Sequence, residues 1–382
     1  LRQKFVRAFG GAAVLALALG ASAACADDTK NSSSGSDCKV KIAFFGALSG
    51  GNANLGINIK DGAKLAIDQY TKANPNGCKI ELVQKDSQGD EKQAPAIADA
   101  IIGDSSIIGV VGPAFSGESK AANPKLSGAG VTIITPSATN PTLADQGWKT
   151  FHRALGNDAA QGPAAGRYIK DVLKAQKVFV IDDTSEYGKG LADQVKKVVT
   201  PVATGTTSKG QTDFSALITA IKAAGPDAIY YGGYYAEGGP FLKALRGQGV
   251  KATFVGGDGL KDPGLIEGAG KEAAEGTVVT CPCVPPDKAG NFAADYKAAT
   301  GQEAGTYSAE AFDAANIFIE GIKAGNTTRA KMEAFVDGYN GKGITTTFKF
   351  TDKGEIDLSA VAVWAYEVKD GKIVAKQEIP KP

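Results

Sequence analysis

The run VKIAFF, residues 40–45, is followed from about Gly56 by a pattern in which Ile59, Ala63, Ala66, Ile67 and Tyr70 share one helical face. A short, mainly apolar run reads as a strand covered on both sides, and the helix after it supplies one of the covers. The same unit recurs. IELVQ (80–84) precedes KQAPAIADAII (92–102), IIGVVG (107–112) precedes ESKAANPKL (118–126), and VTIITP (131–136) follows. A second block opens where Asn157 caps a helix carrying Ala164, Ala165, Tyr168, Ile169, Val172 and Leu173. KVFVID (177–182), DAIYYGG (227–233) and ATFVGG (252–257) are its strands. GKGLADQVKKVV (188–199), FSALITAIKAA (214–224) and GGPFLKALRGQG (238–249) are its helices. Alternating β and α units predict parallel, doubly wound α/β sheets, and this many units require two of them.

Composition narrows the function. The 382 residues carry a formal net charge of +1, which leaves no electrostatic footprint for nucleic acid. A single histidine, His152, removes most histidine-based metal centres and catalytic triads, and it reads as structural. No metal and no cofactor is expected.

Residues 1–24 read as an export signal: Arg2, Lys4 and Arg7 precede an apolar run that ends in small residues before Cys25. GASAAC resembles a lipoprotein signal, with Cys25 as the lipidated residue, although Ser22 stands where a leucine-like residue is usual. The polar stretch 25–37 reads as a flexible tether. Removing the signal leaves 39 basic against 41 acidic residues, so the mature chain is close to neutral. The protein is expected at the outer face of the cytoplasmic membrane, or in the periplasm, as a monomer.

Export favours disulfides. Cys38 and Cys78 each lie two residues before an apolar run. If those runs are neighbouring parallel strands, the cysteines sit at the same end, about 4.8 Å apart across the ladder, and can pair. Cys281 and Cys283, in CPC, close a very small ring or stay reduced; no second ligand pair exists to make them a zinc site.

Ligands of open parallel sheets bind beyond the carboxyl ends of the strands. The segments there read GALSGGNANLG (46–56), GPAFSGES (112–119), TPSATNPTL (135–143), DDTSEYGKG (182–190), YYGGYYAEGG (230–239) and GGDGLKDPG (256–264). None is a phosphate-binding loop. Free amides at a helix start with serine or threonine hydroxyls suit a carboxylate, and an acid opposite suits an ammonium. That pair of groups describes an α-amino acid.

The pieces GALSG, SATNPTL, DAAQGPAAGRYI, YGKGLA, DFSALI, YYGGYYAE and AAEGTVVT resemble, in order, the Leu/Ile/Val-binding proteins of ABC importers, a family of type I periplasmic solute-binding proteins. The resemblance covers most of residues 38–370. It implies two α/β lobes joined by three crossovers, with lobe 1 at 38–154 and 284–347 and lobe 2 at 155–283 and 348–382. It implies no catalysis, a branched-chain amino-acid ligand and a membrane permease as partner. It places Ser116 on the ligand carboxylate and Ser137, Ala138 and Thr139 around the carboxylate and ammonium. Tyr187 and Tyr234 become aromatic contacts and Asp258 the acid for the ammonium. The family often has glutamate where Asp258 stands and an aromatic residue where Leu55 stands.

Structural roles compete for the same residues. Ser116 also suits a helix start, Ser137 and Thr139 suit turns around Pro136 and Pro141, and Asp258 suits a glycine-rich turn. Tyr230 and Tyr231 read as strand residues, while Gly232 and Gly233 turn the chain so that Tyr234 reaches the ligand. A different small amino acid or amide as cargo, or an exported ligand sensor, is the alternative function.

Overall fold

The protein is described here by a computed structural model covering residues 38–381; the signal segment, Cys25 and the tether lie outside the described residues. The first sheet is wholly parallel. Its strands are β1 (Lys39–Gly46), β2 (Lys79–Asp86), β3 (Ile107–Val111), β4 (Thr132–Thr135) and β5 (Phe151–Arg153), in the spatial order β2-β1-β3-β4-β5. Helices α1 (Ala53–Ala73), α2 (Ala94–Ile102) and α3 (Ser116–Gly128) make the connections. The burial of all five residues of β3 explains the unbroken apolar run from which this strand is read.

After β5 the chain passes to a second sheet. Helix α4 (Asp158–Arg167) leads into β6 (Val178–Asp182), α5 (Glu186–Lys196), β7 (Ala203–Thr206) and α6 (Ser215–Ala224). Then follow β8 (Ala228–Gly232), α7 (Tyr235–Gly247), β9 (Thr253–Gly256), α8 (Pro263–Ala269), α9 (Lys271–Ala274) and β10 (Val278–Cys281). The chain returns as α10 (Phe292–Thr300) and α11 (Ser308–Lys323), both packed on α1, and α12 (Arg329–Asp337), packed on β3 and β4. A small hairpin, β11 (Asn340–Lys342) and β12 (Thr347–Lys349), stands apart from both sheets. A third crossing brings β13 (Trp364–Lys369) and β14 (Lys372–Glu378) to the second sheet, whose order is β14-β13-β10-β9-β8-β6-β7.

Two α/β sheets are therefore present, as the sequence predicts, but the second is mixed rather than purely parallel. β13 pairs antiparallel with β10, and β14 antiparallel with β13. Strands β5, β7 and β14 are not legible in the sequence. β5 has three residues, and β7 and β14 are edges whose partly exposed residues give no apolar run. The helix after Asn157 is also shorter than its pattern. It is regular to Arg167 and widens into a π turn over Tyr168–Val172. The Asn157 side chain does cap it, accepting the Ala159 amide at 2.9 Å. Among the described residues no helix is long and apolar enough to cross a membrane.

Cys38 and Cys78 are disulfide-bonded, with Cα atoms 4.6 Å apart. The register Lys39 to Lys79 of the parallel β1–β2 pair puts them side by side at the strand starts. Cys281 and Cys283 are bonded as well, closing the small ring at the end of β10. The first bond spans 40 residues of sequence. A loop of that length is worth about 4 kcal/mol in the chain-entropy account. The double variant C38S/C78S is expected to lose about that much unfolding free energy, measured by urea titration against the oxidised protein.

Candidate functional site

Asp258 is the group around which the loops converge. It begins a single 3-10 turn after β9 and is almost wholly buried. The Tyr187 hydroxyl donates to its Oδ1 at 2.8 Å, and the Tyr307 hydroxyl donates to its Oδ2. The Gly259 amide donates in turn to the Tyr187 oxygen at 2.9 Å, which fixes that ring. Burial raises the Asp258 pKa above the ordinary carboxylate value, and the two tyrosine hydroxyls work against that rise. Each carboxylate oxygen has two lone pairs, so both keep one free for a further donor.

Tyr187 comes from α5 and Asp258 from the turn after β9, in the second sheet's half of the molecule. Tyr307 precedes α11, which packs on the first sheet. The backbone of Tyr307 is left-handed, with φ of 68°. That conformation costs a bulky residue about 1–3 kcal/mol and persists only where the surroundings hold it. Here its hydroxyl is tied to Asp258.

The start of α3 faces this acid. Ser116, its first residue, is buried, and its hydroxyl oxygen accepts the Asn140 amide at 3.2 Å, so the hydroxyl proton remains free to donate. Glu118 reaches back to the Phe115 amide at 3.3 Å and accepts the Ser87 hydroxyl at 2.5 Å; burial raises its pKa to about 8. Ser137 is different. Its hydroxyl donates to Ala114 O at 2.7 Å and can only accept from anything in the cavity.

Ala138 does not border the cavity. Its amide donates to Thr135 Oγ1 at 3.0 Å and its carbonyl accepts from Arg153. Thr139 is also set behind the wall. It is fully buried, and its carbonyl accepts the Asp158 amide at 2.9 Å.

The cavity between these groups is narrow in this arrangement, with about 10 Å³ open to a water-sized body. Leu55, Ile59 and Phe115 form its apolar side, with the rings of Tyr187, Tyr234 and Tyr307. Tyr234 packs edge-on to Phe115 at 5.3 Å and beside Tyr187 at 4.9 Å between ring centroids. Its side chain is delivered past Gly232 and Gly233. Glycine is required there by crowding rather than by a left-handed turn. A Cβ on Gly232 would lie 2.4 Å from Gly188 O, and one on Gly233 2.7 Å from the Tyr231 ring. Tyr230 and Tyr231 are fully buried in β8, as their strand reading requires. A wider vestibule, about 280 Å³, adjoins the cavity through Phe115 and Tyr234 and is lined mainly by polar and acidic groups. It is the larger opening, but the acid and the apolar wall lie in the inner one.

The periplasmic binding protein family matches residues 39–372. The chain belongs to that family. A Leu/Ile/Val-binding protein of Rhizobium johnstonii is 34% identical over 350 residues, covering 88% of this chain and 94% of that one. A leucine-, isoleucine-, valine-, threonine- and alanine-binding protein of Pseudomonas aeruginosa is 33% identical, covering 83% and 87%. Among solved structures, a branched-chain amino acid transporter substrate binding protein of Streptococcus pneumoniae, in complex with isoleucine, superposes with a TM-score of 0.82. It is 29% identical and covers 90% of this chain and 100% of that one. The two-sheet architecture is thus that of the family.

Sequence reading missed Tyr307, Phe115 and Ile59 and a buried charge next to the loop of Ser137, Arg153. Arg153, at the end of β5, is fully buried. Its Nε and Nη2 donate to Glu355 at 2.9–3.2 Å, its Nη2 to Asn140 O at 3.0 Å and its Nη1 to Ala138 O. Asn157 Nδ2 also donates to Glu355, at 3.1 Å. His152 packs on Phe350 and bonds Asp337 at 3.0 Å, close to Glu333. Removing one partner of a buried ion pair costs about 3–5 kcal/mol. Glu355→Ala is therefore expected to lower unfolding stability by about that amount, read by urea titration, whereas Lys120→Ala, which breaks a surface pair with Glu186 at 2.8 Å, changes it by less than about 1 kcal/mol.

Proposed function

We propose that the protein captures one branched-chain amino acid between two lobes, 38–154 with 284–347 and 155–283 with 348–382, and delivers it to the permease of an ABC importer. The carrying observation is Asp258, a buried acid whose donors are tyrosine hydroxyls, on the wall of a mainly apolar cavity that faces the start of α3. The ligand ammonium supplies the missing cation. Its carboxylate meets the free Ser116 hydroxyl and the amides of the first turn of α3, where the helix dipole favours an anion. The aliphatic tail lies against Leu55, Ile59, Phe115 and Tyr234. No reaction is asked of the site. The serine hydroxyls that line it engage Asn140 N–H and Ala114 C=O rather than an imidazole or an amine, so neither is activated as a nucleophile. Named relatives that bind leucine, isoleucine and valine support the cargo. The export signal and Cys25 support attachment to the outer face of the membrane, and the protein acts as a monomer.

Head-group contacts come from both halves, so the ligand binds the closed arrangement better and shifts the protein toward it. A charge-assisted hydrogen bond contributes about 1.5–3 kcal/mol. Asp258→Ala is expected to weaken leucine binding at least tenfold by calorimetry with the circular dichroism spectrum unchanged; undiminished affinity refutes the ammonium role.

Every α-amino acid shares the head, so the tail discriminates. Burying a leucine-sized side chain contributes about 1.5–3 kcal/mol, and a glutamate carboxylate finds no partner on the apolar wall. In competition, leucine and valine are expected to displace alanine and glutamate. The reverse order sinks the branched-chain reading. Small-angle scattering should show compaction when leucine is added.

A further inference from the structure

Three donor side chains meet away from the cavity, where α12 packs on the first sheet. Glu333 and Asp337 are four residues apart and so share one face of α12. His152 reaches them from the middle of β5. One imidazole nitrogen and one oxygen of each carboxylate all lie within 4.8 Å of one another. None of the three residues lines the cavity. His152 Nε2 and Asp337 Oδ1 are 3.0 Å apart, although 185 residues separate them along the chain.

Zinc takes an imidazole nitrogen at about 2.0–2.1 Å and a carboxylate oxygen at about 2.0–2.2 Å, so two such ligands at ordinary angles stand about 3.0–3.4 Å apart. A hydrogen bond has the same length, and the His152–Asp337 pair alone does not separate the two cases. Glu333 does. Both of its carboxylate oxygens are shut off from water. Burial raises its pKa, and the His152 ring and the Thr132 hydroxyl of β4 work against that rise. A carboxylate has about four lone-pair sites, so one hydroxyl leaves most of them for an ion. Closing the 4.8 Å outline to ligand spacing asks this side chain to shift by about 1.5 Å at most.

The surroundings favour a cation. Asp337 is the last residue of α12, no basic residue stands in that turn, and the negative end of the helix adds to the charge of the two acids. The imidazole is buried and held edge-on against Phe350, at 4.8 Å between ring centroids. Its Nδ1 is buried without a partner, so carrying the proton there while Nε2 binds an ion gives up no hydrogen bond. The Asp337 side chain is 61% exposed, which leaves an entry path and room for water.

We propose that His152, Glu333 and Asp337 bind one divalent transition-metal ion of the zinc class, with water as the remaining ligand on the Asp337 side. An imidazole with two carboxylates suits zinc, whereas magnesium and calcium take oxygen ligands. A single histidine excludes centres built from several imidazoles but not this mixed set, whose acids stand on a helix far along the chain. The ion ties α12 to β5, the strand from which the chain leaves the first sheet. It therefore acts on the stability of that sheet and not on cargo, and the inference does not depend on the binding function proposed above.

Zinc titration of the full, oxidised chain after chelator treatment, followed by calorimetry, tests the site. The wild-type protein is expected to bind one zinc ion that raises its Tm. Asp337→Asn keeps a partner for His152 but loses the anionic ligand, and it is expected to bind that ion at least about tenfold more weakly, with little rise in Tm. Glu333→Gln and His152→Asn are expected to weaken it as much. Cobalt in place of zinc is expected to give the visible absorption of a four-coordinate ion in the wild type and not in the variants. Magnesium in excess should not displace zinc, and leucine affinity should be the same with and without zinc. Zinc held by Cys25 is common to all four proteins and drops out of the comparison. Equal zinc binding in the wild type and the variants means an adventitious ion only and overturns the inference, as does a wild-type protein that binds no zinc. Neither result bears on amino-acid binding. If His152→Asn does not fold, the exposed Asp337 position still decides.

Discussion

The guanidinium of Arg153 is the point on which the site depends. A fully buried cation must be paired and must satisfy its remaining donors, and these partners come from distant parts of the chain. Glu355 lies 202 residues away, on the third passage between the sheets, while Ala138 and Asn140 belong to the loop after β4. Asn157, which caps α4, bonds the same glutamate. One ion pair therefore fixes the end of the first sheet, the loop of Ser137 and Thr139 and the start of the helix that carries Asp158. It ties all of them to the last crossing.

Around that anchor, the cavity gathers more buried acid than its donors neutralise. Asp258 has two tyrosine hydroxyls, and Asp158, at the start of α4, is fully buried as well. In a low-dielectric interior this imbalance favours any cation that can enter. The same charges would oppose closure over an empty cavity. Under the proposed function, closure and cargo are linked for this reason: the acids come from the second half of the molecule, Ser116 and Tyr307 from the first, and the ammonium relieves a charge that closing would otherwise confine.

Tyr307 and the glycine pair after β8 show how local cost is accepted at such a place. A tyrosine in the left-handed region is unfavourable alone, yet its hydroxyl completes the second donor to Asp258. Gly232 and Gly233 give up side chains so that β8, α5 and the Asp183 turn can approach closely, which leaves Tyr234 as the ring at the cavity wall.

Much of the architecture is local and was legible. The apolar runs of β1, β3, β4, β6, β8 and β9 announce strands, and the loops after them carry Ser116, Ser137, Tyr187, Tyr234 and Asp258. The Cys38–Cys78 pairing followed from two strand starts in one register. Short and edge strands such as β5, β7 and β14 lack that run and did not appear until their partners were in place. The partners of Asp258 and Arg153 were hidden for another reason. Tyr307 stands 49 residues from the acid it bonds, and Glu355 stands 202 from its arginine. The sequence by itself determined where the chain is buried and where its loops expose polar groups, because periodicity and composition act over a few residues. Only the tertiary structure decided which buried charges meet, because that depends on how distant loops share one enclosed, low-dielectric space.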